Sequence, residues 1–256
     1  YPSIHAIESA CNSGRKHPLR NDGTFEDFFK PVWANYHLRF DLAASRDAAG
    51  LAMVHYDRES NRLVADLLHE IQPPKHGEIR LQALENLVYS LIARGFRIVK
   101  VSFDQAHSSQ FRQNLEARGI RCEKLSVDRT TEAHETLFGL IHSGDLDFYY
   151  HPALVNNLDS LYLLPGGKKI DHAPGAAKDV SDALAGACVT AIRDEGFERG
   201  EPEIVPLEDE EEKPSRDVDG KIDGRRLLVA PKAGEKEEED PYDLTALDED
   251  DDGTPF

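Results

Sequence analysis

Two aspartates each close an apolar, strand-like run: Asp41 after YHLRF (36–40) and Asp104 after RIVKVSF (97–103). A carboxylate in such a place costs free energy unless a cation or a hydrogen-bond network compensates it. Strand-end aspartates are commonly caps or turn formers, so either one alone carries little. Two of them, on strands expected to be neighbours, favour a shared cation. Asp179 adds a carboxylate in the first turn of a helix read from Lys178 to Ile192, and Asp182 follows three residues later on nearly the same face. First-turn acids ordinarily complement the helix dipole. This helix, KDVSDALAGACVTAI, is otherwise small and apolar, with Val180, Ala183, Leu184 and Ala187 on one face, and is expected to lie buried against a sheet. Clustered carboxylate oxygens suit magnesium or manganese. Two such ions, about 3.5–4 Å apart, can activate water and stabilise the leaving oxygen of a phosphodiester.

The elements that must position these acids can be read from periodicity. Strands over 36–43 and 49–56 form a hairpin, and a third over 62–71 stops at Pro73-Pro74, where proline removes a backbone donor. Helical spacing of Ile79, Leu81, Leu84, Leu87, Val88 and Leu91 predicts a helix over 78–94, capped by Gly95. Then come a strand over 97–104, a helix over 108–118 ended by Gly119, and a strand over 120–127. The hairpins demand antiparallel pairing and the alternation of strand and helix demands parallel pairing, so the expected fold is α/β with a mixed sheet flanked by helices. Further helices are expected over 131–142 and 153–162, with a short extended piece over 146–152 and an exposed glycine-, proline- and lysine-bearing loop over 164–177. Residues 1–35 read as a lead-in segment whose aromatic residues Phe25, Phe28, Phe29 and Trp33 pack onto the domain.

The formal charge of −18 over 256 residues is concentrated at one end. Residues 201–256 carry 21 acidic against 7 basic side chains, a net −14, and lack apolar periodicity, so 200–256 is read as an acidic disordered tail. Its exception is GRRLLVAP (224–231), a basic and apolar stretch. Cys11, Cys122 and Cys188 have neither disulfide-framework nor zinc-ligand spacing. No run approaches a membrane span and no signal-peptide pattern opens the chain, so a soluble, cytoplasmic protein is expected. The sequence holds no GxxxxGK[ST] phosphate loop and begins at Tyr1, so it is expected to continue a longer polypeptide and to lack an ATPase motor of its own.

The stretches FDLAASRDAAGLAMVHY (40–56), IVKVSFDQAHSSQF (98–111), LSVDRTTEAHETLFGLIHSGDLDFYYHP (125–152) and DHAPGAAKDVSDALAGA (171–187) resemble, in this order, the C-terminal nuclease domain of tailed-bacteriophage large terminase subunits. The resemblance implies an RNase H-like domain over 36–199, acting on concatemeric viral duplex DNA during genome packaging in the infected bacterial host, with Mg2+ or Mn2+, two ions being expected. It makes Asp41 the first-strand ligand, Asp104 the fourth-strand ligand and Asp179 the final-helix ligand, with Asp182 beside it and Asp47 as a peripheral acid. The portal protein and the small terminase subunit become expected partners. One departure is that Lys178-Asp179 stands where many family members have two adjacent acids or a histidine.

Candidate phosphate contacts are Arg39, Arg46, Lys75, Arg129, Lys168, Lys169 and Lys178, of which the Lys168-Lys169 loop is the best placed, just before the Asp179 helix. A junction resolvase or RNase H-type nuclease would share the same cluster. A different class of reading is a DNA- or portal-docking module with a regulatory acidic tail.

Overall fold

The computed structural model describes residues 4–20, 22–42, 48–74, 77–104, 109–127 and 129–197. Arg46, Asp47, Lys75, His107 and the whole acidic tail lie outside the described residues.

A six-stranded mixed sheet forms the centre. Strands β1 (Tyr36–Asp41), β2 (Ala49–Asp57) and β3 (Arg62–Ile71) pair antiparallel in sequence order. Strand β4 (Ile98–Phe103) adds parallel to β1, β5 (Arg121–Lys124) parallel to β4, and β6 (Leu146–Asp147) parallel to β3, which gives the order β5-β4-β1-β2-β3-β6. The mixed sheet expected from the sequence is therefore present, with the strands that end in Asp41 and Asp104 side by side.

Alternation along the strands builds two cores. Leu38, Phe40, Leu51, Met53, Leu67, Val101 and Phe103 face α2 (Leu81–Ala93) and α3 (Ser109–Glu116). Ala52, Val54, Leu63, Ala65 and Leu68 face α4 (Glu132–Ser143), α5 (Pro152–Ser160) and α6 (Asp179–Glu195), with Ile7 of the short α1 (Ile4–Ala10) in the same core. The register of β2 against β3 slips between Met53 and Val54, so that Leu67 and Ala65 pair with them and Asp66 is the extra residue of a bulge.

Helix α6 is buried on all sides from Val180 to Ala191, rather than on the single face its pattern suggested, because the sheet lies below it and α4 and α5 beside it. Its small residues let it sit close. A Cβ on Gly186 would fall 2.2 Å from Arg39 Cδ, so the buried Arg39 side chain runs through the space this glycine leaves. On the sheet side, a Cβ on Gly50 would lie 1.9 Å from the Asp179 carbonyl oxygen.

Several local expectations are revised. A hairpin of β7 (Leu161–Leu163) and β8 (Ile170–His172) takes up the end of the helix expected over 153–162 and part of the loop over 164–177, closed by a Leu164 N–H to Lys169 carbonyl bond of 2.9 Å with Gly166 and Gly167 at positive φ. Strand β5 is shorter than expected, and α1 was hidden by its seven-residue length. Of the lead-in aromatics, Phe25 and Phe29 are buried, whereas Phe28 and Trp33 are exposed. Arg39 is fully buried, which removes it from the phosphate-contacting candidates.

A glycine inside a strand normally costs about 0.5–1 kcal/mol relative to alanine. At Gly50 the clash with backbone outweighs that term, so Gly50→Ala is expected to destabilise the domain by about 1–3 kcal/mol, as overpacking does. Urea unfolding of the purified chain checks the sign: a stabilised Gly50→Ala variant contradicts the close approach.

Candidate carboxylate site

Three parallel strands, β4, β1 and β3, run toward one edge of the sheet, and each brings an acid there. Asp41 is the last residue of β1. Asp104 follows Phe103, which pairs with Phe40, so Asp104 is next to Asp41 along neighbouring strands. Glu70 lies at the end of β3, and both Asp41 and Glu70 pair with Gly50 of β2 between them. Paired residues share a face. For Asp41, Gly50 and Glu70 that is the α6 face, opposite Leu38, Phe40, Leu51 and Leu67. Asp104 stands one residue beyond β4, at a bend.

The fourth and fifth acids come from α6. The first turn of α6 rests on Gly50 through the Asp179 backbone, which sets the Asp179 and Asp182 side chains beside the strand-end row. This helix end has no cap of its own, since the N-cap residue Lys178 offers no side-chain cap bond. Buried Asn157 of α5 supplies it: its Oδ1 accepts from the N–H groups of Val180 at 3.0 Å and Ser181 at 3.3 Å. The helix N-terminus therefore points its positive dipole end at the carboxylates.

Cations of the chain partly balance the cluster. Lys178 Nζ donates to Asp182 Oδ2 at 2.5 Å, and His134 Nε2 of α4 stands 2.9 Å from Asp182 Oδ1, so both oxygens of this buried side chain face basic groups. Arg39 donates through one terminal nitrogen to the Leu125 carbonyl at 3.0 Å and holds the other 3.8 Å from Asp41 Oδ1. Burial raises Asp182, but His134 and the Lys178 ammonium outweigh it and keep its pKa below the usual carboxylate range. The others go the opposite way. Burial, then the Asp182 charge, push Asp41 up to about 7 against the opposing pull of Arg39 and Lys178. Burial, then Glu70 and Asp182, push Asp179 up to about 6.

Asp41, Asp179 and Asp182 are thus gathered at one edge with Glu70 beside Asp179, while Asp104 follows the end of the neighbouring strand β4. Glu70 escaped the sequence reading because the bulge at Asp66 breaks the alternation that would have told its face. Among the described residues no three His, Cys, Asp or Glu side chains are close enough to share one ion, and Lys178 supplies positive charge among them. Of the candidate phosphate contacts, Lys168 is exposed at the β7–β8 turn, Lys169 is 4.0 Å from Asp171, and Arg129 is exposed. His172 is held by its own hairpin, with Nδ1 3.0 Å from the Ala173 carbonyl. A groove of about 750 Å3 lined by Leu19, His69, Ile79, Leu84 and Leu87 lies at α2, across the sheet from the carboxylates.

In the metal-free chain, Asp41 and Asp179 keep their protons to higher pH folded than unfolded. Between the ordinary carboxylate range and about pH 7 the folded state therefore binds more protons, and this part of the stability falls as pH rises through that window. Asp41→Asn removes the larger share. Its metal-free melting temperature at pH 8 is expected to exceed that of the unsubstituted chain, by about 2–4 °C for each kcal/mol. An equal or lower value contradicts the electrostatic account.

No family model and no curated protein sequence matches the chain. Solved structures do. The large terminase nuclease domain of Thermus phage P74-26 aligns with a TM-score of 0.55 at 15% identity, over 77% of this chain and 100% of that one. The large terminase nuclease of thermophilic phage G20c, in a structure with bound magnesium, aligns at 0.53 and 15% identity, over 72% and 95%. The HK97 bacteriophage large terminase aligns at 0.54 and 12% identity over 72% of this chain, which spans 42% of that longer one. The mixed sheet and its flanking helices thus have the RNase H-like fold seen in the nuclease domains of phage large terminases.

Proposed function

We propose that this chain is a divalent-metal-dependent nuclease that hydrolyses phosphodiester bonds of duplex DNA, as the cutting domain of a phage genome-packaging terminase. The observation that carries the reading is the row of strand-end acids meeting the N-terminus of α6 on an RNase H-like sheet. The acids fit a hard divalent ion by donor type: all are carboxylates borne at one edge of the sheet, which would have to close on the ion to share it, and the raised pKa values of Asp41 and Asp179 mark negative charge that Arg39 and Lys178 leave uncompensated. The G20c nuclease has been solved with magnesium and with cobalt, which supports Mg2+ or Mn2+ as the working ion here.

In this reading Asp41, Asp104 and Asp179 would hold the ions, with Asp41 central in the row. When bound, the ions activate a water and stabilise the departing oxygen. Asp182 acts from behind. Held by His134 and Lys178, it fixes the first α6 turn and so the direction of Asp179. Lys178 places an ammonium next to the cluster, where it can meet a phosphate oxygen, and Lys168 and Lys169 extend positive charge along the β7–β8 hairpin. Arg46 and Arg129 are further backbone contacts, and Asp47 a peripheral acid of the same site. Arg39 works only from inside the fold, keeping a cation beside Asp41.

Packaging, the portal and small-subunit partners and an upstream motor belong to the proposal through the likeness to longer terminases, of which this chain spans a part. Action in the host cytoplasm belongs to the proposal in the same way, and among the described residues no helix is long and apolar enough to cross a membrane. Purified chain with Mn2+ is expected to nick and linearise plasmid, and Asp41→Asn to lower the rate at least about 100-fold, as loss of a metal-site ligand does. Linear duplex is expected to be cut in preference to four-way junctions or RNA–DNA hybrids. Undiminished cutting by Asp41→Asn, or preference for a junction or hybrid, overturns the corresponding part of the assignment.

A further inference from the structure

We propose that Lys178 is a resident counter-ion of the carboxylate site, against whose positive charge a divalent ion has to bind. The inference rests on the nuclease reading and concerns how readily that site takes up its ions.

Lys178 is the N-cap residue of α6, and its side chain folds over the first turn so that Nζ meets Asp182 Oδ2 four residues on. At 12% exposure this side chain is largely withdrawn from water. A lysine usually keeps its ammonium hydrated and buries only its stem. Drawing the ammonium in is costly unless acids compensate it. Here its charge reaches beyond Asp182. It also pulls on Asp41 and Asp179, lowering both against burial and against their acidic neighbours. Acids from β1 and from α6 therefore share one lysine.

A purely structural ion pair would need Lys178 less. Asp182 already has His134 beside its other oxygen. What Lys178 adds is a positive charge close to Asp41 and Asp179, two of the acids assigned to the ions. A divalent ion held there stands against this fixed charge, and like charges in a partly buried site repel more strongly than in water. Asp41 and Asp179 keep raised pKa values even so, which leaves the row enough negative charge to accept an ion. The lysine thus lowers the affinity of the site without cancelling it.

Titration of the full chain with Mn2+, followed by the EPR signal of the free ion, tests this without recourse to catalysis. Lys178→Gln removes the charge and keeps a hydrogen-bond donor for Asp182. It is expected to bind Mn2+ at least about tenfold more tightly than the unsubstituted chain. Lys178→Met, which removes charge and donor together, should move the affinity in the same direction. Lys178→Arg keeps the charge and should bind as the unsubstituted chain does. A lysine that served only to hold the first turn of α6 would give the opposite result, with affinity unchanged or weakened when its charge is removed. Charge-removing variants that bind no more tightly, alongside a clear loss in Asp41→Asn, overturn the role of Lys178 and leave the nuclease reading standing. Absence of Mn2+ binding by the unsubstituted chain and by both charge-removing variants, or binding by Asp41→Asn equal to that of the unsubstituted chain, removes the metal site itself and this inference with it.

Discussion

The site depends on a backbone contact. The first turn of α6 rests on Gly50 so closely that no side chain fits between them. That contact fixes the height of the helix over the sheet, and with it the position of Asp179 relative to Asp41 and Glu70, which flank the glycine in register. The remainder of α6 conforms to the same constraint. Its alanines and Gly186 keep it near β1, and Gly186 leaves the channel through which Arg39 reaches the neighbourhood of Asp41. Asn157, from a different helix, supplies the hydrogen bonds that the buried first turn would otherwise lack.

The electrostatics show a cluster under tension, held by a fold that can carry it. Four or five carboxylates at one edge repel one another and lose hydration as they are buried. The chain answers with a buried guanidinium, an ammonium, a histidine and a helix N-terminus, and these satisfy Asp182 while Asp41 and Asp179 remain pushed upward. Burial and like charge act together on Asp41 and Asp179, whereas the two basic neighbours of Asp182 overcome both. The other large charge network, which joins Lys100, Arg121 and Glu123 to Asp194 near the opposite end of α6, is different: there each acid has a basic partner, and Asp194 is held below the usual range.

Much of this was legible in the sequence because it rested on local signals. Asp41 and Asp104 stood out as charges ending apolar runs, and the change from hairpin to strand–helix alternation specified a mixed sheet. What was hidden was tertiary. Glu70 sits in a strand whose bulge shifts the alternation, so its face could not be counted from either end. Gly50 read as an ordinary strand residue, because its role appears only when α6 is laid across it. His134 is an unremarkable helical histidine until Asp182 arrives from another helix. Arg39 was misjudged as a phosphate contact for a related reason: arginine at a strand position is commonly exposed, and only the glycine on α6 makes room to bury it.

The central claim is that the strand-end acids and the α6 acid form one divalent-metal site. Anomalous diffraction from crystals of the chain soaked in Mn2+ tests it most directly. The account predicts manganese peaks between the carboxylates of Asp41, Asp104 and Asp179, at the edge above Gly50. Crystals that take up manganese only elsewhere on the surface, or none at this edge at saturating concentration, would contradict it.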